Sequence, residues 1–153
     1  MASARPILLL LPLALGCAAV TCTILMHALP LSATVRFVRR EKALGHLGID
    51  LRKDMWVVVR VICYAFVAHL IEMALWAGLF VICGQFSDFP TAYYHSAVNY
   101  TSLGYGDIVM SPAWRMLGPL ETADGMLLFG VSTAMIFAVI QRLVEARYAD
   151  LKV

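Results

Sequence analysis

The chain has 153 residues, 61% of them hydrophobic and 14% charged, with a formal net charge of +2. A soluble domain carries about 25% charged residues, so this composition excludes a surface that faces water all round and points to lipid. The small net charge gives no reason to expect a nucleic-acid partner.

The first element is predicted from Pro6 to Val35, a run without Asp, Glu, Lys or Arg. About 20 apolar residues cross the hydrocarbon core, and the apolar part of a signal peptide is only about 7–15 residues long. The run therefore reads as a retained transmembrane helix, its core ending near Leu31. A basic connection follows, with Arg36, Arg39, Arg40, Lys42, Arg52 and Lys53. Arg36 and Arg39 have the three-residue spacing of a voltage sensor but lie beyond the uncharged run, so they read as flanking charge. The second span is predicted from Met55 to Cys83; Arg60 near its start is expected to snorkel to the cytoplasmic surface. His69 and Glu72 lie one helical turn apart further along. They read as a hydrogen-bonded brace for whatever packs beside them, with metal ligation as the rival. The third span is predicted from Leu117 to Leu143 and carries Glu121 and Asp124 in its first half. The cysteines Cys17, Cys22, Cys63 and Cys83 show neither metal-ligand spacing nor a disulfide pattern and read as small packing residues. Trp56, Trp76 and Trp114 read as packing residues or interfacial anchors, and Arg115 as solvated or paired with Glu121.

Lys and Arg favour the cytoplasmic side of a membrane. The first connection and the tail (Arg142, Arg147, Lys152) are basic, whereas 84–116 holds only Arg115. The N-terminus and 84–116 are therefore expected outside, and the connection and C-terminus inside. The outer segment is too apolar for a simple loop. Pro90 suits the first turn of a helix. A helix from 90 to 101 would descend about 18 Å at about 1.5 Å per residue. Five extended residues would then climb back about 16 Å. Non-helical backbone at that depth must be buried in protein or line a water-filled path.

Thr101-Ser102-Leu103-Gly104-Tyr105-Gly106-Asp107 resembles the potassium-channel signature T-V-G-Y-G-D. The chemistry explains the pattern. An ion in single file must exchange its water for rings of backbone carbonyls. Aiming successive carbonyls the same way needs torsions that alternate with left-handed ones, which glycine adopts without steric cost. Ser102 and Leu103 stand where the family usually has Thr and Val.

The resemblance covers about Ala65 to Leu143 and implies an all-α membrane protein. It has three transmembrane helices, a re-entrant pore helix and a filter loop, assembled as a homotetramer. It implies an N-terminal region (1–54) with no counterpart in a minimal two-helix pore. A pore domain (55–143) follows, made of outer helix 55–83, pore helix 90–101, filter 102–106 and inner helix 117–143, with a short tail (144–153). K+ would be coordinated at Ser102, Leu103, Gly104 and Tyr105, with Gly106 completing the filter, and Leu103 and Tyr105 packing behind it. Thr101, Asp107, Tyr94, His95 and Glu72 would support it, with Tyr94 as the partner of Asp107. Gly125 and Gly130 would be inner-helix hinges. Asp124, with Glu121, would form an acidic ring in the cavity below the filter; the rival is a structural bond from Asp124 to Asn99 or Tyr100. The implied function is passive K+ conduction in the plasma (cell inner) membrane, by a non-enzyme without cofactors. Two other readings are a non-conducting accessory subunit and an intramembrane aspartyl protease of G-x-G-D pattern. The latter needs a second carboxylate beside Asp107 at matched depth.

Overall fold

The computed structural model describes residues 5–46, 48 and 50–148, of which residues 5–9 are described by backbone alone. Lys152 and the last residues of the tail lie outside the described part. Four helices follow in chain order: α1 (Arg5–Ala43), α2 (Leu51–Ile82), α3 (Phe89–Tyr100) and α4 (Leu117–Arg147). α1, α2 and α4 are each long and apolar enough to cross a membrane. The short α3 packs against α2 and α4, while α1 packs against the same two helices.

α1 is longer than expected. The basic segment from Arg36 to Lys42 continues the helix instead of forming a connection. No Gly or Pro interrupts it, and Arg40 and Lys42 in the last turn complement the negative end of the helix dipole. The helix stops at Gly45, at φ +67°. There Gly45 N–H donates to Lys42 O and His46 N–H to Glu41 O, both at 3.0 Å, the paired bonds of a Schellman end. α2 ends the same way: Gly84 N–H donates to Val81 O and Gln85 N–H to Phe80 O, both at 2.9 Å. Cys83 is thus the cap and not part of the span.

α3 starts where Asp88 accepts from Thr91 N–H at 2.9 Å, with Pro90 in the first turn. That backbone amide holds the exposed Asp88 carboxyl below the usual carboxylate range. Gln85 Oε1 accepts from both Ser111 N–H (3.1 Å) and Ser111 Oγ–H (2.7 Å), tying the two ends of the outer segment together.

Two apolar clusters hold the helices. Trp76, Ala77 and Phe80 of α2, Ala92 and Tyr100 of α3 and Leu117 of α4 are fully buried in one. Val57, Val61, Met135, Val139 and Leu143 join α2 to α4 in the other. At the basic end Arg147 reaches the buried Asp54 at 2.7 Å, while Asp54 also accepts from Gly48 N–H at 3.0 Å. The Arg60 guanidinium sits over the Phe37 ring, 5.6 Å from its centroid.

Two readings are decided here. Cys17, Cys22 and Cys63 are exposed on the single chain and do not pack in its core. Of the two roles read for Trp76, packing holds, because the side chain is fully buried.

Candidate functional site

α3 ends at Tyr100 with Thr101 as its cap, and the chain leaves it as an extended strand. Ser102 N–H donates to Asn99 O at 2.8 Å and Gly104 N–H to Val98 O at 3.2 Å, fastening the strand to the helix end. Ser102, Gly104 and Gly106 have φ of +58°, +58° and +72°, and Leu103 and Tyr105 between them do not. Ser102 is the sole non-glycine with positive φ among the described residues. A left-handed torsion costs a side-chain-bearing residue about 1–2 kcal/mol. The Ser102 hydroxyl donates to Thr101 O at 2.6 Å.

Behind the strand, Tyr94 Oη–H donates to Asp107 Oδ2 at 2.8 Å, the partner named for Asp107 from sequence. Asp107 is thus held by a phenol and not by a second carboxylate, which removes the support for the aspartyl-protease reading. His95 Nδ1–H donates to Ile108 O at 3.0 Å, and Asn99 Nδ2–H to His95 Nε2 at 2.8 Å. One face of α3 thus grips the strand on its way to α4.

The opposite face of α3 meets α2 and α4. Ser96 Oγ lies within hydrogen-bond distance of Met73 O and the Glu121 carboxylate. Thr122 Oγ1–H donates to Asn99 O at 2.9 Å. At Gly125 the approach is so close that a Cβ would stand 2.2 Å from Tyr100 O, whereas at Gly130 it would meet nothing within 4 Å. Two glycines that looked alike in sequence thus differ: Gly125 is a helix contact, and Gly130 lies open.

The acidic ring is corrected. Glu121 and Asp124 are 0% and 1% exposed within a single chain, so neither faces a cavity. Asp124 points towards α1 and α2, where its Oδ2 accepts from Thr23 Oγ1–H at 2.8 Å and from Trp76 Nε1–H at 2.9 Å. The rival expectation that Asp124 turns to a structural bond holds, but its partners are Thr23 and Trp76 and not Asn99 or Tyr100. Arg115 does not pair with Glu121, which is fully buried and meets Ser96 through Oε1.

Glu72 is fully buried and does meet α3, where Tyr100 Oη–H donates to it at 2.6 Å. It also lies 2.7 Å from His27 Nδ1 of α1 and 3.0 Å from His69 Nδ1. Sequence reasoning missed His27, Thr23 and Ser132. A signal was present: Thr23, His27 and Thr34 recur at helical spacing in an otherwise apolar span, and all three are buried. An ionisable residue inside a membrane helix marks a functional site by default.

With this geometry in hand, residues 55–142, more than half of the chain, match the ion-channel family of the potassium-channel pore type. The chain belongs to that family. Across 137 residues it is 26% identical to the human voltage-gated potassium channel regulatory subunit KCNG2, covering 84% of this chain and 28% of that protein. The rat protein of the same name is equally similar, at 26% identity over 84% of this chain and 27% of its own length. This channel-family chain therefore spans little more than a quarter of either relative. No solved structure matches it. The family is not an enzyme class, and the chain is a potassium-channel-type subunit with three helices fit to span a membrane.

Proposed function

We propose that four copies of this chain assemble around a common axis into a potassium-selective pore. The carbonyls of Ser102, Leu103, Gly104 and Tyr105 replace the water shell of K+ there. One observation carries this reading: the left-handed torsions recur at every second residue, 102, 104 and 106. That alternation turns successive carbonyls to one side of the strand, which a single-file cation path requires. One chain supplies one side of such a path, and rings of carbonyls need a closed assembly around it.

The uncovered surface agrees with assembly. Leu103, Tyr105 and Val109 are 56%, 66% and 72% exposed. Beside them runs an open groove lined by Val98, Asn99, Ile108, Val109, Pro119 and Met126. A neighbouring copy laid into that groove would pack behind the filter. The exposed face of α4 that remains (Ala123, Met126, Leu127, Gly130) is apolar, so the inner cavity is a greasy vestibule and not an acidic one. K+ and lipid are the partners, no cofactor takes part in conduction, and the basic ends of α1 and α4 lie on the cytoplasmic side of the cell inner membrane. A second reading has one supporting fact: both relatives are named regulatory subunits.

Flux from purified protein in liposomes tests this, comparing K+, Na+ and a nonpermeant cation, with native mass measured in detergent. We expect a tetramer that passes K+ in preference to the others, and loss of flux in Gly104→Ala, because alanine resists the φ of +58° that Gly104 adopts. An active monomer, or flux indifferent to Gly104→Ala, refutes the pore. A folded assembly that passes nothing alone favours the regulatory reading.

A further inference from the structure

The deepest polar cluster is separate from the filter, and all four helices contribute to it. His27 of α1, His69 and Glu72 of α2 and Ser132 of α4 close a ring. His27 Nδ1 is 2.7 Å from Glu72 Oε1, and His69 Nδ1 is 3.0 Å from Glu72 Oε2. On the far side, His69 Nε2 and His27 Nε2 lie 3.1 Å and 3.2 Å from the single hydroxyl of Ser132. Tyr100 of α3 reaches the same carboxylate. Relative exposure is 3% for His27, 5% for His69, 0% for Glu72 and 4% for Ser132.

We propose that His27, His69 and Glu72 form a site for a four-coordinate divalent transition-metal ion of the zinc class, which clamps α1 onto the pore-forming helices. The sequence alone gave two of these residues on one helix and no cofactor; the third ligand comes from α1, 45 positions away from Glu72.

With both imidazoles neutral, proton counting favours a metal at the centre; the metal-free alternative is a single imidazolium at His27, donating to Glu72 and Ser132 while Ser132 donates to a neutral His69, and it takes up no Co2+. A hydroxyl has one proton and two lone pairs, and a neutral imidazole has one N–H. Were both rings to donate from Nδ1 to Glu72, both Nε2 atoms would present lone pairs to Ser132, whose one proton serves only one of them. Were both rings to carry the proton on Nε2, Ser132 Oγ would accept from both. Two Nδ1 lone pairs and a carboxylate would then converge with the single proton of the Tyr100 hydroxyl to share among them. A cation there satisfies every one of these atoms at once.

The remaining chemistry fits. One ligand atom from each of the three residues can be chosen so that all lie within 4.8 Å of one another. A tetrahedral zinc ion with bonds of about 2.0–2.1 Å needs ligand atoms about 3.3 Å apart, so separations of up to 4.8 Å must close by about 1.5 Å at most, within reach of side-chain rotation. Two imidazoles and one carboxylate suit zinc, cobalt or nickel, whereas Ca2+ and Mg2+ take all-oxygen shells. The Tyr100 hydroxyl, 3.0 Å from His69 Nδ1, stands at the fourth corner. Ser132 plays the outer partner that fixes both imidazoles, as metal-bound histidines require. The Phe129 ring, centred 4.4 Å from that of His69, walls the site with apolar surface.

The test uses the full chain in detergent, without a polyhistidine tag, stripped with chelator and titrated with Co2+ and then Zn2+. We expect one ion per chain, the intense visible absorption of four-coordinate Co2+, its loss when Zn2+ is added, and a higher thermal midpoint with metal bound. Ser132→Ala keeps all three ligands but removes their shared outer partner, and should weaken binding by about 10–100-fold. His27→Gln should abolish the Co2+ absorption, while His46→Gln, at an exposed histidine, should not change it. Wild-type protein that is folded and takes up no Co2+, a pale six-coordinate spectrum, or full binding by Ser132→Ala would each overturn the site. Neither the stoichiometry nor the spectrum depends on whether the protein conducts, so failure here and failure of the pore are distinguishable.

Discussion

Adding one methyl group to Gly125 separates a hinge from a helix contact. A Cβ at that position would lie 2.2 Å from Tyr100 O and 3.1 Å from both Tyr100 C and Cγ. Ordinary contact with a carbonyl oxygen needs about 3.2 Å, so α4 and the end of α3 must part by about 1 Å, and the obstacle is backbone that no rotamer change can clear. Overpacking of this kind costs about 1–3 kcal/mol, and a rigid obstacle sets it near the top of that range. Alanine returns about 1 kcal/mol of helix propensity, leaving Gly125→Ala net destabilised by about 2 kcal/mol. For a chain of this size that lowers the midpoint by about 4–8 °C. Gly130→Ala meets nothing within 4 Å, so it should keep the propensity gain and rise by about 2–4 °C. Thermal unfolding of the two variants in detergent, followed by flux in liposomes, is the assay. Because Tyr100 lies two residues before Ser102, Gly125→Ala should also reduce flux, and Gly130→Ala should not. Equal midpoints, or flux loss in Gly130→Ala alone, would refute the contact reading and restore a hinge.

Asp124→Asn should leave conductance unchanged and heat stability nearly so, because the amide oxygen can still accept from Thr23 and Trp76. Asp124→Leu should lose about 1–3 kcal/mol for each donor left bare in the interior. Lower single-channel conductance in Asp124→Asn would bring the acidic cavity back. Arg147→Gln should lower the thermal midpoint by an amount equivalent to about 1–3 kcal/mol, since it leaves the buried Asp54 carboxylate with only the Gly48 amide. A midpoint unchanged by this substitution would mean that the Asp54–Arg147 pair does not hold α2 to α4.

Much of the pore was legible because its geometric demand falls on the backbone. Left-handed torsions call for glycine, so Gly104 and Gly106 could be read as alternating, and Pro90 marked the start of α3 within one residue. Ser102 hid the third left-handed position, since a serine carries no such mark. What could not be read was direction within the spans. Among water-soluble helices an apolar stripe marks the inward face. In a bilayer both faces are apolar, and Asp124 therefore carried no sign of whether it looked to the axis or to α1. The same blindness left the cysteines without a direction. The extension of α1 through Arg36–Lys42 was missed for another reason: charge was taken to end the helix, when it only ends the apolar part.

Thr23 and His27, four residues apart on α1, take hold of Asp124 and Glu72. This makes α1 dependent on a residue 101 positions further along the chain. Ser132, which closes the ring on His27, follows it by 105 positions. Before α4 is in place Thr23 lacks Asp124 and His27 lacks Ser132, so α1 settles fully only once α4 has joined it. A chain shortened to begin at α2 would keep every filter residue and still expose two carboxylates to hydrocarbon. α1 is therefore bound into the polar interior shared by α2 and α4 and is not an appendage to them.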